Sequence, residues 1–477
     1  MREENLAFVC NTGLLTHGLP STPTGDFLMN LFSRLDESGV SYCVLRGYKG
    51  LPDVISHDLD LLVHREHLAL YAQILNEVSL SQGWRLVRAL SRFGFHSWYL
   101  VREQDDAFIP LLVDVWTQIQ WKATVYAESE VVLGTRKRYN NTWVASSGSE
   151  AAVSLLKEYL QSGRVKDKGE GKAKERIALL ARKGSDTFLA TLEPRLGPTL
   201  SQFALDCAKE SDWSKLEREV RTMRKRLITR ALLRRPVGQI WDWCRFLWGH
   251  FSDKVLHPSG LFVCLIGPDG SGKTTVSRGL QRDPKGIFNA VRYYHGHWGL
   301  LPELKTYYRS VARLFGKEKK EAVRSEGVFH NQEVIQYSLG RALLYVLYYS
   351  VEYVLGYFVI LRAKGQGELV LLDRYFYDYM IQSTYSRVPR WLLRLIELVL
   401  PRPDVLIWLR NQPEVIHRRK AELSVTQIRE QATVCGRIIE RHPKRACVVW
   451  TDDDPEITLN VVKTKIFECM ASRVSTG

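Results

Sequence analysis

The chain has 477 residues, 45% of them apolar and 25% charged. This is the make-up of a globular protein of two or three domains, and it excludes a fibrous or wholly disordered chain. A net charge of +15 asks for a polyanionic partner or surface but does not choose among nucleic acid, anionic lipid and nucleotides, and it raises nucleic-acid binding only slightly.

From residue 25 to about 145, helix-like and strand-like segments alternate: a helix over Gly25–Ser38, strands over Tyr42–Leu45 and Asp58–Val63, and a helix over Arg65–Gln82. Asp58 and Asp60 stand two apart on a strand, so their side chains project together. Carboxylates held side by side repel unless a divalent cation sits between them. A third acid, Asp114, interrupts the apolar strand Ile109–Trp116. Asp58, Asp60 and Asp114 are therefore candidate metal ligands, a set suited to activating a hydroxyl against a nucleotide α-phosphate. An Asp-x-Asp pair alone also occurs at solvated strand edges; the upstream Gly47, the apolar flanks and the third acid favour the metal.

Residues 150 to about 250 read as helical and charged, with an exposed loop over 166–172. Lys215–Arg235 holds nine Lys/Arg against two Glu and leads into the aromatic-rich Ile240–Trp248. The second stretch is expected to pack on the C-terminal half. An anionic membrane surface is the alternative.

Pro258-Ser259-Gly260 punctuates the chain, and from Leu261 the pattern becomes β-α-β, which implies a parallel sheet with helices on both faces. Strand Leu261–Ile266 runs into Gly267-Pro268-Asp269-Gly270-Ser271-Gly272-Lys273-Thr274-Thr275, with a helix expected from Thr275. A Gly-rich loop between strand and helix wraps backbone N–H groups around a polyphosphate. Lys273 would bridge the outer phosphates and Thr274 would hold Mg²⁺. Ala342–Leu361 is long enough to span a membrane, but Glu352 at its centre and its spread aromatics predict a helix buried in this half. Two further strands follow, Val370–Leu372 and Val405–Leu409. The first ends in Asp373-Arg374-Tyr375, where an acid can order Mg²⁺ and its waters and an arginine can grip a phosphate. Arg418-Arg419-Lys420 sits late in a helix, where it either complements the helix dipole or forms a lid over phosphates.

The loop, Asp373-Arg374-Tyr375 and Arg419-Lys420-Ala421-Glu422-Leu423-Ser424 together resemble the thymidylate kinase family of P-loop kinases, over residues 260 to about 470. The resemblance implies ATP and Mg²⁺ as cofactors and phosphoryl transfer by Lys273, Thr274 and Arg374. It also implies lid arginines at Arg418 and Arg419 and an Asp269 turned toward the acceptor. Thr451-Asp452-Asp453 falls where the family's last strand passes the adenine. Where the family carries Glu-Pro-Gly-Gly, this chain has Arg292–Gly299, which includes His295 and His297, so the acceptor stays open.

The N-terminal stretch resembles the nucleotidyltransferase fold of the polymerase-β superfamily, with Tyr48 where members carry Ser. The expected architecture is thus α/β in two domains. An α+β nucleotidyltransferase-like domain (1–150) and a helical extension (151–255) precede a P-loop kinase domain (256–477). The expected function is an ATP-dependent phosphotransferase acting on a small molecule, either a nucleoside monophosphate or a sugar precursor. The alternatives are chemistry centred on Asp58, Asp60 and Asp114, or a non-catalytic nucleotide-binding scaffold at a membrane. Eight scattered cysteines without a Cys-x-x-Cys pair, and an N-terminus lacking an apolar signal core, lead to the expectation of a cytoplasmic protein, if need be peripheral to the membrane's inner face.

Overall fold

The computed structural model describes residues 22–55, 58–105, 107–164, 172–282, 287–304, 336–451 and 454–476. Asp452, Asp453 and residues 166–171 of the expected loop lie outside these.

Seven strands form the first sheet: β1 (Tyr42–Val44), β2 (Leu59–Val63), β3 (Trp84–Arg92), β4 (Phe95–Gln104), β5 (Ala107–Trp116), β8 (Lys137–Tyr139) and β9 (Thr142–Val144). Their order is β3-β4-β5-β2-β1-β9-β8, with a separate hairpin of β6 (Ile119–Trp121) and β7 (Thr124–Ala127). Strands β2 and β5 run parallel, with Asp60 directly opposite Asp114. Alternation then assigns the faces. Leu59, Leu61, Val63, Val113 and Val115 pack with residues of helices Pro23–Glu37 and Leu68–Ser81, which leaves the aspartates on the opposite side. That side meets helix Ser147–Ser162, capped by Ser146, and the helices that follow it to Arg234.

The second sheet is five-stranded and parallel throughout: β10 (Leu261–Ile266), β11 (Val291–His295), β12 (Leu369–Asp373), β13 (Val405–Arg410) and β14 (Ala446–Trp450), in the order β11-β12-β10-β13-β14. Strand β10 is buried along its whole length, as a central parallel strand requires. One face carries Phe262, Cys264, Val370 and Leu372 against helices Leu339–Gly365 and Val425–Arg441. The other carries Leu261, Val263, Leu369 and Ile407 against helices Lys273–Arg282 and Pro455–Thr476.

The sheets are separate but share a core. Val87, Tyr99 and Val101, on the outer strands of the first sheet, join the second sheet's cluster, and Phe108 meets Phe467 edge-on at 4.9 Å.

Three expectations need correction. The glycine loop passes into helix at Lys273, two residues earlier than expected. Helix Leu339–Gly365 is not buried: Ala342, Val346, Glu352, Tyr353, Gly356 and Ile360 face the core, while Leu347, Val351 and Phe358 face outward. A sheet can bury only the helix side that touches it, and the opposite side is apolar as well. Helix Pro236–Phe251 does not pack on the C-terminal half as expected. It lies against the first sheet and the β6–β7 hairpin, where Gln239 donates to the Ala123 carbonyl at 2.8 Å, and only Gln239 is buried.

Candidate functional site

The first candidate site is built where β10 ends. Gly270 and Gly272 adopt φ of 91° and 93°, a region that disfavours side chains. A Cβ on Gly270 would also approach the Ile416 carbonyl oxygen to 3.2 Å, so only glycine lets the loop pass under the helix Pro413–Arg419. The Lys273 ammonium donates to the carbonyls of Gly267 and Pro268 at 2.7 and 2.9 Å and lies 3.6 Å from Asp269 Oδ1. Thr274 and Thr275, on the first helical turn, line a cleft of about 600 Å³ together with His295, Asp373, Arg374, Arg419, Lys420 and Thr451.

Charge is concentrated here. Arg374 donates to both oxygens of Asp269, and Lys420 Nζ stands 3.9 Å from the same carboxylate. Burial works to raise the Asp269 carboxyl, but Lys273, Arg374 and Lys420 outweigh it and hold the group below the usual range. Arg374 follows β12 with a φ of 62°, a conformation that costs a non-glycine residue roughly 1–2 kcal/mol. Asp373 is buried beside it. Its Oδ2 accepts from the Tyr293 hydroxyl at 3.4 Å and lies 3.4 Å from His295 Nδ1, while Oδ1 has no hydrogen-bond partner among the described residues.

These features fit a magnesium–nucleotide. Gly267, Gly270 and Gly272 make a cradle that side chains would fill, Ser271 keeps a buried hydroxyl without a partner, and Asp373 offers a free oxygen beside Thr274 in the same cleft. Arg419 reaches the cleft and donates to the Thr451 carbonyl at 3.3 Å. Of the Arg418-Arg419-Lys420 cluster read as a lid, Arg419 and Lys420 line the cleft, whereas Arg418 is exposed and does not. Sequence reading also missed Asp378, four residues after Arg374. Burial pushes its carboxyl up to about 6, opposed by Lys273 and Arg374 and reinforced by Asp373 and Asp269. The spacing Asp373…Asp378 across a strand end was the available signal. The two histidines do not form a metal pair, because His295 neighbours Asp373 while His297 stands 3.7 Å from the buried Glu352.

The second candidate site lies on the first sheet. Carboxylate oxygens of Asp58, Asp60 and Asp114 all fall within 4.8 Å of one another. Arg46 pairs with Asp60 Oδ2, Lys157 Nζ lies 3.8 Å from Asp60 Oδ1, and the Ser97 hydroxyl donates to Asp114 at 2.6 Å. Burial, aided by Asp60 and Asp58, pushes the Asp114 carboxyl up to about 6 against the Ser97 bond. Asp60 Oδ1 is buried without a hydrogen-bond partner. Three converging acids fit a divalent cation, with Arg46 and Lys157 offsetting part of the charge. Tyr48 packs edge-on to Tyr139 at 5.0 Å; burial and the Glu150 carboxylate push its hydroxyl up to about 12.

No protein-family profile matches the chain. The thymidylate kinase of Xylella fastidiosa strain M12 is 25% identical over 167 residues, 34% of this chain and 64% of that protein. The thymidylate kinase of strain M23 gives the same identity and coverage. The chain thus spans less than two thirds of the length of these relatives. A crystal structure of thymidylate kinase from Ehrlichia chaffeensis aligns with 43% of this chain and 99% of its own, at 20% identity and a TM-score of 0.28, which carries no structural argument. The chain is thus similar to thymidylate kinases over about a third of its length.

Proposed function

We propose that the chain is an ATP-dependent phosphotransferase of the thymidylate-kinase-like class, acting on a small-molecule acceptor such as a nucleoside monophosphate or a sugar precursor. The observation that carries this reading is the convergence of Lys273, Arg374, Lys420 and Arg419 on one glycine-cradled cleft, with Asp373 and Thr274 beside them. A magnesium–ATP bound there supplies the transferable γ-phosphoryl group. The loop N–H groups and Lys273 would hold its phosphates, and Thr274 and Asp373 would hold the metal ion. Arg374, fixed by Asp269, presents a guanidinium to the charge that develops during transfer, and Arg419 and Lys420 close over it from the lid. His295 and the loop after β11 stand at the edge of the same cleft, where an acceptor would enter.

The test uses purified protein and γ-labelled ATP against a panel of nucleoside monophosphates and sugars. Transfer of label to one acceptor, reduced by about 10²- to 10³-fold in Lys273→Ala, is expected; unchanged transfer by the variant overturns the assignment.

The convergence of the Asp58, Asp60 and Asp114 carboxylates within 4.8 Å of one another favours a second reading, a metal-dependent nucleotidyl transfer by an N-terminal nucleotidyltransferase-like domain. It predicts label from the α-phosphate of a nucleoside triphosphate in the product, lost in Asp60→Asn, whereas a kinase passes on only the γ label.

A further inference from the structure

Among the described residues, several helices leave apolar sides exposed, helix Arg390–Val399 with Trp391, Leu395, Leu398 and Val399 among them, and two of these helices are neighbours that share a basic rim. On helix Pro236–Phe251 the exposed side carries Val237, Ile240, Trp241, Leu247, Trp248 and Phe251, with Trp241 and Trp248 64% and 63% exposed. On helix Leu339–Gly365 it carries Leu344, Leu347, Val351, Val354, Leu355 and Phe358, the last 72% exposed. Both sets fall on helical spacings, with the exposed Cys244 between Trp241 and Leu247, and so form stripes rather than scattered single residues. The stripes are neighbours. Segment Ser252–Leu256, which continues the first helix, packs against the second, and Val255 and Leu256 on it are also exposed. A Cβ on Gly365 would come within 2.7 Å of the Lys254 carbonyl oxygen.

The charges around the stripes have one prevailing sign. Arg234, Arg235, Arg245, Lys254, Arg341 and Arg362 are exposed on or beside these elements. The acids of the same elements are withdrawn: Glu352 is fully buried, Asp253 is bound to Arg92, and Asp242 is half-buried.

We propose that this face seats the protein on an anionic lipid bilayer, with the two stripes in the headgroup–acyl boundary and the basic residues on the phosphates. Indoles and apolar side chains next to Arg and Lys are the chemistry of an interfacial helix. A symmetric second copy on this face would set one basic rim against another, in a chain that already carries +15, whereas anionic lipid neutralises it. Helix Leu339–Gly365 is long and apolar enough to cross a membrane, but its inner side belongs to the core under β12, so it lies along the surface. That inner side also holds the loop after β11: Glu352 accepts the Leu300 N–H at 2.8 Å and the Tyr353 hydroxyl donates to the Gly296 carbonyl. The docking helix is thereby tied to the rim of the nucleotide cleft. The proposal stands whichever nucleotide chemistry the chain performs.

The test is co-sedimentation of the full chain with vesicles of phosphatidylcholine alone and of equal parts phosphatidylcholine and phosphatidylglycerol. Binding to the anionic vesicles, weakened by added salt, is expected, with little to the neutral ones. Replacing Arg234 and Arg235 together by Gln should weaken it by at least about tenfold. Trp241→Ser combined with Trp248→Ser should abolish it, and both changes fall on exposed side chains that the fold does not need. In wild-type protein, vesicles containing brominated phosphatidylglycerol should quench tryptophan fluorescence. The proposal is overturned by failure to pellet with anionic vesicles, by equal binding to neutral ones, or by binding that survives the tryptophan changes. Self-association abolished by those changes, without lipid binding, overturns it in favour of a second copy.

Discussion

At Asp269 three cations, Lys273, Arg374 and Lys420, surround one carboxylate. The acid fixes Arg374 at the mouth of the cleft, and the surplus positive charge remains for a phosphate. Asp269→Asn should therefore leave Lys273 in place yet loosen Arg374, lowering turnover more than nucleotide affinity, a split that steady-state kinetics with varied ATP will reveal. Asp378 introduces a pH dependence. With its carboxyl pushed up to about 6, it gains a proton as pH falls through that value, so the activity profile should show an acid limb near pH 6 that Asp378→Asn lacks. A limb unchanged in the variant would sink this role. Asp114 makes the corresponding prediction for stability. A carboxyl raised in the fold above its ordinary value binds protons more tightly folded than unfolded. Its contribution is thus fully present below about pH 4 and is lost as pH rises through about 6. Asp114→Asn should stabilise the protein by about 2 kcal/mol at pH 7, and the gain should vanish near pH 4, in denaturant titrations at the two pH values. Added Mg²⁺ should raise the melting temperature of the wild type through this site more than that of the variant.

Among the elements, those that place chemistry were legible because their periodicity is simple. The all-apolar Leu261–Ile266, followed by glycines and Lys273, can be little else than a buried strand feeding a phosphate loop, and alternation put Asp58 and Asp60 on one side of β2 before any register was known. The direct opposition of Asp60 and Asp114 required the β2–β5 pairing, a contact between segments about fifty residues apart that no local pattern encodes. Strand β11 was read only as a departure from a family stretch, because Arg292 and His295 interrupt its apolar character on an edge where polar residues are tolerated. Helices Leu339–Gly365 and Pro236–Phe251 were misread for one reason. An apolar helix side looks the same in sequence whether protein or some other apolar phase covers it. Arg418 and Lys420 could not be told apart either: a helix that ends at Arg419 turns Lys420, not Arg418, toward the loop.

For the molecule as a whole, the shared cluster around Phe467 joins the two sheets mechanically. Phe467→Ala should cost about 3 kcal/mol, and because its neighbours include Val87, Tyr99 and Val101 as well as Leu261, both sheets should melt together in one transition. Calorimetry showing two transitions, with only the C-terminal one shifted, would mean that the halves are thermodynamically independent. Positive charge is another property of the whole chain: the +15 total includes the basic groups of the cleft and those beside the exposed helices. Salt should therefore weaken both nucleotide and lipid binding, while the melting transition responds less. The central claim is that the glycine-cradled cleft transfers the γ-phosphoryl group of ATP. Its most direct measurement is single-turnover transfer from γ-labelled ATP to the acceptor found by screening, in wild type and in Lys273→Ala. Label in the acceptor that falls by about 10²-fold or more in the variant is the predicted result; label that transfers equally well without Lys273, or that arrives only from the α-phosphate, would contradict it.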